Sequence, residues 1–257
     1  MPPPLHALAA LARVADAAIE RRAAIDGETA SCHFFLFDLL RREQALAASR
    51  EQTRGEVARI LDFAQAWYCE LAAVLAGRDD ALLDTARDGD WSLRDIVRHA
   101  IAVELRYAAQ VTYSATRADS EPIAIPESRL PCDRLAPPAA FDESRTAGLV
   151  RGLELLGVAR DQTHAAIRLV RDDVLDRPSL WGTYRMNVRM RLHQVGAHLA
   201  ETTVQVEKVL HGEAETESRR ILRRAALARG QHERWTTQSE RDGLDARYGA
   251  LADAMRA

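Results

Sequence analysis

Cysteine, aromatic residues and charge of one sign are all scarce in this chain. Its three cysteines, Cys32, Cys69 and Cys132, lie far apart among 257 residues. They form no CxxC motif, and an odd, dispersed set is not a disulfide framework. Cys69 sits in an apolar stretch, where a buried, inert thiol is the usual state. Aromatics make up 5%, with 13 Gly and 9 Pro, too few strand and turn formers for an all-β design. Lys and Arg number 35 against 38 Asp and Glu, a net charge of -3, so no basic field marks a nucleic-acid partner. No apolar run approaches the roughly 18 residues of a membrane span. The first residues lack a basic start and are interrupted by His6 and Arg13, unlike a secretory signal. A reducing, cytoplasmic setting is expected by elimination, with neither nucleic acid nor membrane as partner. There is also no Gly-rich phosphate loop, no GxSxG elbow and no HExxH.

What is abundant is helical periodicity. Val57, Leu61, Ala64, Tyr68, Leu71 and Leu75 repeat in steps of four and three. So do Leu93, Val97, Ala100, Glu104, Tyr107 and Val111, and likewise Val188, Leu192, Val195, Leu199, Thr202, Val206 and Val209. A fourth stripe runs from Leu149 through Leu153, Leu156, Arg160, Thr163 and Ile167 to Val174. This spacing turns one face of each helix inward, and four such faces bury one another as a four-helix bundle. Helices are predicted over 57–75, 93–111, 149–174 and 188–209, with almost no strand. Ser92 and Asp95 form a capping-box-like start, with Trp91 and Ile96 placed as a staple. Gly77 suits a helix C-terminus. The five prolines between Ala118 and Pro138 mark a long connection, and Pro178 is expected to stop the third helix.

The chain divides into an N-terminal helical extension, 1–48, a bundle, 49–212, and a charged C-terminal helical extension, 213–257. The first extension reads as one or two helices broken near Asp26-Gly27. Phe34, Phe35 and Phe37 cannot all face one way on a helix, so some are expected to dock on the core and others to offer a homodimer contact. In the last extension, Glu215 and Arg219 read as an exposed i,i+4 pair. The run Arg219, Arg220, Arg223, Arg224 reads as a solvated face.

Two features carry possible chemistry. Tyr68, Glu104, Arg160 and Thr202 interrupt apolar stripes near mid-helix, and buried charges must be paired. Glu104 with Arg160 is the evident pair, either a layer fixing helix register or the floor of a mid-bundle pocket. His99 and His198 flank the inward stripes of the second and fourth helices, where two imidazoles on facing helices can hold a metal. His193 lies about 140° round the helix from His198 at roughly 100° per residue and cannot share its site.

The stretch from Trp91 through His99 to Tyr107 resembles the second helix of the DinB-like superfamily of metal-binding bundles. The segment Arg177-Pro178-Ser179-Leu180-Trp181, leading into Val188 to His193, is similar too. The run from His198 to Lys208 completes the likeness, which covers roughly residues 50–210. The resemblance implies an all-α, up-and-down four-helix bundle. It also implies a divalent metal, zinc or nickel, held by one second-helix histidine and an i,i+4 histidine pair on the fourth helix. Some members of that family are transferases or isomerases using low-molecular-weight thiols. His99 and His198 match two ligand positions, but the third falls on Thr202, a poor replacement for imidazole. Glu201 is then the substitute ligand, and metal occupancy is expected to be low.

Two functions follow. One is a metal-dependent transferase or hydrolase, acting on a small-molecule substrate or thiol, with His99, His198 and Glu201 as ligands and Glu104 as base. The alternative is a non-catalytic, metal-free bundle serving binding or assembly.

Overall fold

The computed structural model describes residues 5–14, 16–48, 54–86, 89–211 and 215–257. The expected boundaries at 49 and 213 fall outside the described residues. Helix α1, Leu5–Ala12, is followed by a short 3-10 turn and a hairpin of β1, Arg22–Ile25, and β2, Glu28–Ser31; α2 is Cys32–Ala48. The bundle helices are α3, Glu56–Leu75, α4, Leu93–Thr116, α5, Leu149–Ile167, and α6, Val188–Val209. A second hairpin, β3, Pro178–Trp181, and β4, Tyr184–Asn187, runs directly into α6. Helices α7, Glu217–Gly230, and α8, Gln238–Arg256, close the chain. None of the described helices is long and apolar enough to cross a membrane.

The architecture is all-α, a four-helix bundle with helical additions at both ends. α3 packs on α6, α6 on α4, and α4 on α5. The helix starts follow local chemistry. Ser92 Oγ accepts the Asp95 amide at 3.1 Å, and Asn187 Oδ1 accepts that of Met190 at 3.0 Å, each a side-chain N-cap. α3 and α5 begin after glycine and take their caps from elsewhere. Asp172 accepts the amides of Glu56 and Val57 at 2.8 and 3.0 Å, and Asp80 that of Leu149 at 2.8 Å.

Three expectations are corrected. Residues 22–31 and 178–187 are two-stranded antiparallel hairpins, with Ile25 opposite Glu28 and Trp181 opposite Tyr184. Asp26 and Gly27 both hold positive φ, 52° and 82°. That is the requirement of the tight turn that matches strand twist, so the break there is a hairpin and not an interhelical kink. The third helix ends at Ile167, not near 174, and Pro178 opens β3 instead of stopping a helix. The two hairpin–helix units are also laid out alike, an internal repeat of shape that the sequence does not show. In each, the first helical amide, Cys32 N or Val188 N, bonds back to Arg21 O or Arg177 O, at 2.7 and 3.0 Å.

The terminal helices are not a loose addition. α7 lies on α3 and α2, while α8 packs on α2 and α1. Phe35 docks into this core at 2% exposure, whereas Phe34 and Phe37 remain outside at 41% and 38%. The charged look of α7 is misleading, because Ile221, Leu222, Ala225, Ala226 and Arg229 are buried. Arg223 pairs with Glu70 and Glu207, each at 2.6 Å, and Glu215 faces Arg220 and Arg223.

A buried polar ladder crosses the whole assembly. Glu104 meets Arg160 at 3.1 Å, and Arg160 Nε donates to Gln65 Oε1 at 3.2 Å. Gln65 donates to Glu233, whose other oxygen lies 3.4 Å from Arg229. Arg229 faces Glu43 at 3.5 Å, and Glu43 also accepts from His232 at 2.5 Å and Tyr248 at 3.2 Å. These groups come from α2, α3, α4, α5, the α7 end and α8. A charge removed from water keeps its place only when paired, so the ladder fixes how these helices sit together.

Candidate functional site

One face of α4 and α6 opens into a cavity of about 750 Å3, walled by His99, Arg106, Tyr107 and Gln110 of α4 and by His198, Glu201 and Gln205 of α6. The β3–β4 turn supplies Trp181 to Tyr184, and the long connection supplies Arg134. The hairpin is fastened to α4. Ser179 Oγ lies 2.8 Å from Ser114 Oγ in the interior. Arg177 donates to the carbonyls of Ala115 and Arg117 at 2.8 and 2.6 Å. The Trp181 and Tyr184 rings stack at 5.9 Å and stand largely exposed over the cavity mouth.

His99 and His198 meet on the cavity wall, their Nε2 atoms 3.3 Å apart. His99 Nδ1 lies 2.8 Å from Arg134 O. A carbonyl only accepts, so Nδ1 carries the proton and Nε2 of the neutral ring is a lone pair. His198 Nε2–H therefore donates to His99. Burial depresses the pKa of both rings, His198 to about 4 with the neighbouring His99 adding to the effect. The pair is neutral near pH 7, the form a metal or an acidic proton requires. Edge contacts from Trp91, at 4.6 Å to His99, and Tyr107, at 5.7 Å to His198, hold the rings in place. Burial also raises the Tyr107 pKa, so its hydroxyl keeps its proton.

The remaining expected residues lie differently. Thr202 is buried, and its hydroxyl donates to His198 O at 2.7 Å, turned into its own helix. Glu201 is exposed on the cavity wall. No group of three or more His, Cys, Asp or Glu poised for a metal occurs among the described residues. Glu104 does not line the cavity. It is 2% exposed and committed to Arg160, so the structure gives it the register-fixing task and not that of a base at the imidazoles. His193 lines a separate hollow with Phe63 and Trp235.

The histidines were legible from helical spacing. Arg134, Trp181 and Tyr184 were not, since they arrive from a loop and a turn. The one available signal was a Gly-Thr pair between two aromatics, a hairpin pattern.

A family model described as the DinB superfamily matches residues 62–201. The chain belongs to the DinB superfamily. No curated protein matches it. Among solved structures, YfiT from Bacillus subtilis is similar at 16% identity and a TM-score of 0.45, over 63% of this chain and 90% of that one. That protein is described as a probable metal-dependent hydrolase with an unusual four-helix bundle topology.

Proposed function

We propose that this DinB-superfamily chain is a small-molecule transferase or hydrolase whose reaction centre is the His99–His198 pair. The observation that carries this reading is the separation of the two Nε2 atoms, 3.3 Å. Two imidazoles at about 2.0–2.1 Å from a tetrahedral metal stand roughly 3.3 Å apart, so the pair fits two corners of such a site. The Arg134 carbonyl on His99 Nδ1 is the kind of outer partner that orients a ligand histidine. His99 and His198 would hold a divalent ion, zinc or nickel, with Glu201 the nearest carboxylate on the same wall. Bound there, the ion would acidify a thiol or water and supply the nucleophile.

The chain's own residues define the rest. Without an ion, His198 donates its Nε2–H to His99 Nε2; to hold one, His198 would move its proton to Nδ1, leaving an Nε2 lone pair on each neutral ring. The Tyr107 hydroxyl, protonated near pH 7, is a proton donor beside His198. Trp181 and Tyr184 give the cavity an exposed aromatic edge. A low-molecular-weight thiol is the cosubstrate that the family resemblance favours.

A second reading, a metal-free binding or assembly module, is supported by Thr202, whose hydroxyl is turned away from the pair. Calorimetric zinc and nickel titrations of the wild type, His198→Ala and Glu201→Ala separate the two. Binding by the wild type that is lost in His198→Ala supports the metal site. No binding by the wild type, or equal binding by His198→Ala, sinks it and leaves the second reading.

A further inference from the structure

Arg160, Arg191 and Arg229 are each less than 2% exposed. Two of them meet carboxylates: Arg160 at Glu104, 3.1 Å, and Arg229 at Asp245, 2.9 Å. For Arg191 no Asp or Glu lies within salt-bridge distance among the described residues. Its guanidinium donates to the side-chain oxygens of Gln110 and Gln194 and lies 5.1 Å from the Tyr107 ring centre. Its buried Nε has no hydrogen-bond partner. Burial pulls its pKa down to about 10, so it remains a cation near neutral pH. A buried charge without a counter-charge is costly, and this cost lies directly behind the pocket. Gln110 and Tyr107 are both pocket wall. The Gln110 oxygen is taken by Arg191, which leaves its amide N–H groups as the polar end available to a ligand.

We propose that the pocket binds a small, flat organic carboxylate, and that Arg191, acting through the Gln110 amide, is its counter-charge. The proposal rests on the pocket being the ligand site. A monoanion matches a single unmatched cation. Arg134 on the wall adds positive field that offsets the Glu201 carboxylate there, while Arg106 is paired with Glu127 at 3.6 Å; the exposed Trp181–Tyr184 stack offers a face to an apolar body. Arg191 touches no ligand itself and is a positioning residue for Gln110.

The test uses the full chain, thermal denaturation and calorimetry. The probes are benzoate and 3-phenylpropionate, their neutral amides, and inorganic phosphate. At least one carboxylate should raise the wild-type Tm, while the amides and phosphate leave it unchanged. Arg191→Met should weaken carboxylate binding at least tenfold. Its ligand-free Tm should equal or exceed that of the wild type, because an uncompensated buried charge has been removed. Arg160→Met, which strands Glu104, should lower Tm clearly. If Arg191→Met does not fold, Gln110→Leu replaces it and should lose carboxylate binding in calorimetry below its own Tm, which should fall because Arg191 loses an acceptor.

Failure of both carboxylates to stabilise the wild type overturns the proposal. So does undiminished binding by Arg191→Met, or a fall in its Tm like that of Arg160→Met. Stabilisation by phosphate equal to that by carboxylate overturns the carboxylate assignment. Zinc titration of Arg191→Met keeps the two readings apart. Carboxylate binding lost there with zinc binding unchanged supports the proposal and leaves the metal reading untouched, and a wild type that binds carboxylate but no zinc ends the metal reading alone.

Discussion

Glu104 of α4 and Arg160 of α5 meet at 3.1 Å with both side chains sealed from solvent. Arg160 also reaches Gln65, so the pair is the first rung of a ladder that ends at Glu43 and His232. Removing one partner of a buried pair leaves a charge uncompensated, at a cost of about 3–5 kcal/mol. Glu104→Gln should destabilise by that order in urea denaturation. Glu215→Gln, half-buried beside Arg220 and Arg223, removes surface ion pairs alone and should change stability by no more than about 1 kcal/mol. Equal effects would refute a structural role for the pair.

The Glu104–Arg160 rung was visible in the sequence because both residues interrupt apolar stripes at regular spacing. The rest of the ladder was not. Glu43, Gln65 and Glu233 are far apart in the chain, and nothing local says that they converge. α6 was legible to its ends because its stripe, interrupted at Thr202 alone, spans the helix's 22 residues. The four-residue strands were missed because pieces so short carry almost no periodicity. The buried place of Arg229 was not legible, because its many charged neighbours suggest a solvated helix. The small residues around it, Ala225, Ala226, Ala228 and Gly230, were the contrary signal, since they let α7 press against α3. At the site, spacing found the imidazoles, while the hairpin and loop walls depend on tertiary placement.

Thr202→His should raise zinc or nickel affinity about tenfold or more by adding an imidazole one turn beyond His198. Thr202 is 1% exposed, so the larger ring should also lower Tm, with overpacking costing about 1–3 kcal/mol. Calorimetric titration beside a melting curve checks both. A variant that folds and binds no more tightly than the wild type would show that position 202 does not reach the His99–His198 pair.

Stability should fall in acid partly through His164. Its ring is largely buried, its Nδ1 has no hydrogen-bond partner, and burial with Arg234, Arg160 and Arg168 nearby holds its pKa at about 4. The unfolded ring takes its proton near 6.5. Its contribution is therefore complete above pH 6.5, is lost as pH falls toward 4, and changes no further below that. The loss is at most about 3 kcal/mol. His164→Gln should flatten the urea-midpoint profile between pH 7.5 and 4.5. A variant with the wild-type slope would assign the acid sensitivity elsewhere.

Gly230→Ala should be among the most damaging single-methyl additions. A Cβ there would stand 2.5 Å from the Ala66 Cα and 2.7 Å from the Ala66 N, and backbone cannot yield as a side-chain tip can. α7 would be levered off α3, at roughly 1–3 kcal/mol. Gly243→Ala, with nothing within 4 Å, is the control and should leave the melting temperature unchanged or slightly raised. Similar losses at both positions would count against close α7–α3 contact.

The ladder also sets how the molecule comes apart. The Gln65–Glu233 rung joins α3 to the end of α7, and the Glu43 rungs join α2 to α7 and α8, so α2, α7 or α8 cannot open while the bundle stays shut without stranding a charge in an apolar interior. Local opening of these helices is then as costly as opening the whole. In native-state hydrogen exchange, the slowest amides of α2, α7 and α3 should share one protection level and one dependence on denaturant. The chain would then behave as a single foldon, although only its middle 140 residues match the family model.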